Sequence, residues 1–312
     1  MNRACGAFAI ACLALASGCA RLPATGVTPL KPATLSELRG YVLSHKADVD
    51  QFRLRGPFDV VTHNDRELRL SATERIDADL YLSAPAEKAP VVILLHGHDK
   101  SKEDHAYQAL HLATWGIHSL AVTLPNNGPW VANGRTLARI VALIRRQPEI
   151  IDSRIDVSRI ILAGHSFGAA AVAIALAEGA PAAGGILLDP AGIGKGLPGF
   201  LRKVAKPVML LGADERISAV RDRSHFFFYI RSGVAEISIT NATHEDAQFP
   251  LEPALEGLGS EPSSATEELQ ITFVSALTSA AFSLGHTGSF DYAWRSFGDA
   301  IADGRFFDTR RK

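Results

Sequence analysis

From Arg159 the chain reads Ile-Ile-Leu-Ala, then Gly164-His165-Ser166-Phe167-Gly168, then Ala-Ala-Ala-Val. An apolar strand thus runs into a G-x-S-x-G pentapeptide and straight on into an alanine-rich helix, the local context in which a serine becomes a nucleophile. Gly164 and Gly168 remove side chains that would collide in so sharp a strand-to-helix turn, which leaves Ser166 at the tip. A serine hydroxyl is a poor nucleophile at neutral pH. The reading therefore demands a general base and an acid to orient it, in the chain order Ser, Asp or Glu, His.

Three histidines lie downstream: His225, His244 and His286. His225 falls among Phe226, Phe227 and Phe228 in an expected helix, and His286 follows the last expected helix, where it reads as a cap or turn residue. His244 sits in the loop after the apolar run Glu236 to Ile239 and is the expected base, with His286 in reserve. For the acid two strand ends compete: Asp189 closes Gly185 to Leu188, and Asp214 with Glu215 follows Pro207 to Leu211. Acyl transfer develops an oxyanion, which pre-aimed backbone N–H groups stabilise without reorganising. Phe167, the residue after the serine, should supply one donor, and the loop His96-Gly97-His98-Asp99 after Val91 to Leu95 the other, through the His98 main chain. Read instead as metal ligands, His96, His98 and Asp99 are adjacent strand-end residues without distant partners, a poor closed site, so no metal is expected. Gly192, Gly194 and Gly196 lack the spacing of a phosphate loop, and no organic cofactor is implied.

The elements that must position these residues follow from the pattern of apolar runs. Phe58 to Val61 and Ala78 to Ser83 read as half-buried early strands. Val91 to Leu95, Ser119 to Thr123, Arg159 to Ala163, Gly185 to Leu188, Val208 to Leu211 and Glu236 to Ile239 read as fully buried ones. Helical stretches separate them: Glu103 to Trp115, Thr136 to Arg146, Phe167 to Glu178 and Ile217 to Ser232, with a last helix from about Thr266 to Phe282. Such alternation predicts an α/β fold, a mostly parallel central sheet with helices on both faces. Its antiparallel-looking start suits an α/β-hydrolase. The segments available as a lid, Asn126 to Gly134 and Ala191 to Ala205, are short, which predicts an open pocket for short-chain esters or the exposed ester of an amphiphile.

In these motifs the chain resembles the secreted platelet-activating-factor acetylhydrolases, and with them the chlorophyllase and dienelactone-hydrolase-like branches of the α/β-hydrolases. Gly164-His165-Ser166-Phe167-Gly168 is similar to the acetylhydrolase elbow, Leu187-Leu188-Asp189-Pro190 to its acid-bearing strand end, and Thr243-His244-Glu245-Asp246 with Phe249 to its histidine loop. His96-Gly97 resembles the family's oxyanion motif. The resemblance covers Pro90 to Phe249, departs at Ala169, where the family often has a further Gly, and favours Asp189 over Asp214. It implies a serine esterase working through an acyl-enzyme. An acyltransferase using the same triad and a catalytically silent envelope-binding lipoprotein are the alternatives.

The beginning of the chain carries a different message. Arg3, an apolar stretch from Ala4 to Ala16, and then Ser17 and Gly18 before Cys19 read as an export signal, and Leu15-Ala16-Ser17-Gly18-Cys19 looks like a bacterial lipobox. The expected organisation is a signal peptide over 1–18, a lipidated Cys19 with a linker to residue 36, and a hydrolase domain over 37–312. Cys19 would anchor the chain to a membrane surface, with the outer membrane of the cell envelope the expected site. Leu22-Pro23-Ala24-Thr25-Gly26 matches a sortase pattern but follows the leader instead of preceding a C-terminal tail, and is read as tether. Cys5, Cys12 and Cys19 are the only cysteines, so the folded body has no disulfide framework, thiolate metal site or Cys nucleophile. With 32 Lys and Arg against 33 Asp and Glu, the formal charge of -1 supplies no field for gripping nucleic acid.

Overall fold

The computed structural model describes residues 34–250 and 265–312; the expected signal peptide, Cys19 and the linker up to residue 33 lie outside the described residues. Among the described residues nine strands form one sheet in the order β1-β2-β4-β3-β5-β6-β7-β8-β9. They are β1 (Val60–Arg69), β2 (Arg75–Ser83), β3 (Ala89–Leu95), β4 (His118–Thr123), β5 (Ile155–His165), β6 (Gly184–Leu188), β7 (Val208–Gly212), β8 (Val234–Ile239) and β9 (Phe306–Arg311). Strands β3 to β8 are mutually parallel, whereas β1, β2 and β9 pair antiparallel.

The parallel strands read as unbroken apolar runs because both of their faces are covered. Successive side chains point to opposite faces. Val92, Leu94, Ile161 and Ala163 accordingly pack with helices α1 (Leu35–Ser44), α2 (Ala106–Thr114) and the long C-terminal helix α7 (Ala265–Thr287). Their neighbours Val91, Ile93, Leu95, Ile160 and Leu162 pack with α3 (Trp130–Arg146), α4 (Phe167–Ala177), α5 (Leu197–Leu201) and α6 (Arg223–Tyr229). The alanines of α4 are buried throughout Ala169–Ala175, which lets that helix lie close against both the sheet and α3. No described helix is long and apolar enough to cross a membrane.

Several elements differ from the sequence expectation, each for a physical reason. Strand β1 runs on to Arg69 with most of its residues exposed, because it pairs along β2 at the edge of the sheet instead of entering the core. Strand β9 is an unexpected charged edge strand, anchored by the buried Phe306 against Phe297. Helix α1 begins at Leu35, inside the expected linker, under a capping box formed by Thr34 and Glu37. Helix α3 starts at Trp130, so Trp130 to Gly134 of the first lid segment are helical. A Cβ on Gly134 would stand 2.6 Å from Ile174, so this glycine, expected in a lid segment, serves a close approach of α3 to α4. The second lid segment contains α5, and α6 covers only Arg223–Tyr229 of the helix expected over Ile217 to Ser232.

Candidate active site

Ser166 stands between β5 and α4 with φ 57° and ψ -125°, a conformation that L-residues rarely adopt and that costs about 1–3 kcal/mol. Neighbouring strands hold it there. The Ser166 N–H donates to the Leu188 carbonyl at 3.0 Å, and the Ser166 carbonyl accepts from Ala191 N–H at 3.1 Å. The two flanking glycines are sterically required. A Cβ on Gly168 would overlap the His96 carbonyl oxygen, and one on Gly164 would come within 2.7 Å of the Gly168 carbonyl oxygen.

Asp189 follows β6, the neighbour of β5, so sheet order brings it beside the serine. Its Oδ1 accepts from Ala213 N–H at 2.8 Å, and its Oδ2 lies 2.6 Å from His244 Nδ1. With Nδ1–H committed to Asp189, the lone pair of the neutral ring is on Nε2, the arrangement a general base toward serine requires. The loop that carries His244 is tightly knit. Thr243 donates from both N–H and Oγ1 to Asp246 Oδ2, Gln108 donates to the Ala247 carbonyl, and Lys100 pairs with Glu245 at 3.0 Å. His165, next to the serine, donates from Nε2 to the His244 carbonyl at 3.0 Å, and the two rings stand 4.4 Å apart. Burial holds His165 well below the usual imidazole pKa, with His244 and His105 adding to the effect, so it remains neutral.

The other sequence candidates lie elsewhere. Arg216 grips Asp214 through two short side-chain bonds of 2.7 and 2.6 Å and holds its carboxyl down to about 2; the Arg216 and Asn241 backbone N–H groups also donate to it. Glu215 is half-buried and 3.7 Å from Arg223, with burial raising its pKa. His286 is buried on α7 against Phe282, near Arg39 and Arg159 at the opposite ends of the strands, where burial lowers it to about 4. His225 is exposed beside Asp222.

The loop after β3 borders the serine. A Cβ on Gly97 would come within 3.0 Å of Ser166 Cβ, so the chain can pass here only as glycine or with displacement. His96 has both ring nitrogens engaged, donating to the Gly97 carbonyl and accepting from Leu124 N–H, which fixes the loop and leaves it no lone pair for a metal. The His98 side chain is half-exposed, edge-on to Phe167, with Nε2 3.3 Å from Asp99. Phe167 N–H opens α4, where no intrahelical acceptor exists. Beside these residues lies a cleft of about 370 Å³ lined by Gly128, Pro129, Trp130, Val131, Phe167, Gly192 and Ile193. Both short lid segments contribute to it, and the Trp130 and Phe167 rings meet there at 5.6 Å.

Sequence reading passed over Arg223, which reaches Asp189 at 3.3 Å, and Glu236, which pairs with Arg223 at 2.7 Å. A signal existed: a carboxylate inside the apolar run Val234 to Ile239 demands a buried counterion.

The chain matches the model of the alpha/beta hydrolase family over residues 92–305, well over half its length, and it belongs to that family. Comparison with curated proteins gave no match.

Proposed function

We propose that this hydrolase is a serine esterase that cleaves carboxylic esters through an acyl-enzyme, of the kind its resemblance to the platelet-activating-factor acetylhydrolase and dienelactone-hydrolase-like branches implies. The reading rests above all on the 2.6 Å contact between Asp189 and His244 at the sheet edge that carries Ser166. His244 Nε2 takes the Ser166 proton as Oγ attacks the ester carbonyl, and Asp189 stabilises the imidazolium that forms. The Phe167 and His98 amides receive the oxyanion. The imidazolium then protonates the leaving alcohol, and water, activated by the same base, hydrolyses the acyl-enzyme. An open cleft walled by Trp130, Phe167 and Ile193 suits a short acyl chain or the exposed ester of an amphiphile. Cys19 would hold the enzyme at the cell envelope.

A fluorophosphonate probe applied to cell fractions tests activity and location together. Label is expected on the wild-type protein in the membrane fraction, lost in Ser166→Ala and strongly slowed in His244→Ala, with p-nitrophenyl acetate and butyrate turned over faster than palmitate. Unlabelled wild type, or label that persists in Ser166→Ala, would remove the serine reading.

A further inference from the structure

Arg223 is the largest fully buried side chain among the described residues, and its guanidinium reaches from β8 to the end of β6. Nε donates to Glu236 Oε1 at 2.7 Å, Nη1 to the Ala213 carbonyl at 2.9 Å and to Asp189 Oδ1 at 3.3 Å, and Nη2 to Ser238 Oγ at 2.5 Å. Glu236 is itself fully buried in β8, and its second oxygen accepts from Arg310 Nε of β9 at 3.0 Å, with Nη2 of the same ion pair 2.8 Å away. The slot is built for the guanidinium: a Cβ on Gly212, at the end of β7, would overlap it. Charges therefore alternate from the edge strand inward, Arg310, Glu236, Arg223, Asp189. Desolvating buried ions is costly enough that apolar side chains could serve stability here at least as well.

We infer that Arg223 is a positioning residue for Asp189, and that Glu236, backed by Arg310, absorbs the charge of Arg223 so that Asp189 keeps its own for His244. The inference rests on the esterase reading. Arg223 and Ala213 N–H together hold Oδ1, which turns Oδ2 toward the histidine. A lone guanidinium beside the acid would cancel much of its field at the imidazolium. Glu236, closer to Arg223 than Asp189 is, restores that field. Other charged groups nearby are Glu215, 3.7 Å from Arg223, and Asp308 of β9, 3.3 Å from Ser238 Oγ. The histidine itself faces Asp189, the neutral His165 ring and, along its loop, the Lys100–Glu245 pair. All of these stay in place in the variants below.

The test is the pH dependence of kcat/KM for p-nitrophenyl acetate in Arg223→Met, Glu236→Gln and the double variant, with fluorophosphonate labelling of each. Removing the cation makes the imidazolium easier to form, so in Arg223→Met the acidic limb of the profile should move up by roughly half to one pH unit. Removing the anion does the reverse, and in Glu236→Gln the limb should move down by a similar amount, with the double variant between the two. A residue that merely fills space would lower activity without opposite displacements. Glu236→Gln leaves Arg223 in its slot and is diagnostic alone if Arg223→Met does not fold. A limb that stays in place in folded Glu236→Gln, or that moves the same way in both single variants, overturns the inference. Failure of the wild type to label at Ser166 would instead sink the esterase reading on which it rests.

Discussion

Asp189 and Asp214 are both buried carboxylates at neighbouring strand ends, and their hydrogen bonds set them apart. Asp189 has one oxygen on Ala213 and Arg223 and the other on His244; Asp214 has both oxygens on Arg216, two residues on, and Oδ2 also on Asn241 N–H in the loop after β8. On the proposed mechanism, losing the first removes the group that fixes the histidine's tautomer and stabilises its cation, whereas losing the second loosens the strand-end loops that Asp214 ties together. Asp189→Asn should therefore lower kcat by about 10³–10⁴-fold with little change in KM. Asp214→Asn should keep kcat within about threefold while costing roughly 1–2 kcal/mol of stability. Steady-state kinetics and denaturant titration of the two variants check this, and an equal loss of kcat in both would return Asp214 to candidacy. Sequence alone left this choice open because both residues end apolar runs; in the fold it is Asp189 whose side chain meets His244.

Among the elements, the elbow was the most legible. Strand, glycine-flanked serine and helix are contiguous, so the steric demand is written in adjacent residues. The tightness of the junction is tertiary, since Gly168 packs on the His96 carbonyl from a strand some seventy residues earlier in the chain. Gly168→Ala should destabilise the fold by about 1–3 kcal/mol through overpacking and reduce labelling of Ser166 as the helix shifts. An unchanged melting temperature together with an unchanged labelling rate would contradict that. The elements that were misread were those whose sequence pattern answers to a distant neighbour. Gly134, expected in a lid segment, admits α4, and β9 is charged yet pairs along β8, with Phe306 buried and Arg310 on Glu236.

Across the whole molecule, histidines are a hidden pH liability. His105, His111, His118 and His286 are each pushed down to about 4 by burial, whereas an unfolded imidazole titrates near 6.5. Their folded pKa is depressed, so the unfolded chain takes up protons first as pH falls, and stability present above pH 6.5 is lost progressively toward pH 4. Each contributes at most about 3–4 kcal/mol over that window. Asp214, held near 2, extends the loss to still lower pH. Denaturation midpoints measured between pH 7.5 and 4.5 should drop steeply below 6.5, ahead of the carboxylate range; a midpoint flat to pH 4.5 would show that these rings do not stay neutral when folded.

By itself the sequence determined the fold class, the serine on its turn and the strand ends that carry the candidate acids and base, because apolar period and turn sterics act between near neighbours. It also set the expectation of an export signal over 1–18 and a lipid anchor at Cys19. Tertiary structure decided which carboxylate meets His244, why His165 holds the His244 backbone, and that Arg223 and Glu236 stand behind Asp189. Those contacts join residues far apart in the chain, and only sheet order, register and the empty space at Gly212 bring their charges within reach of one another.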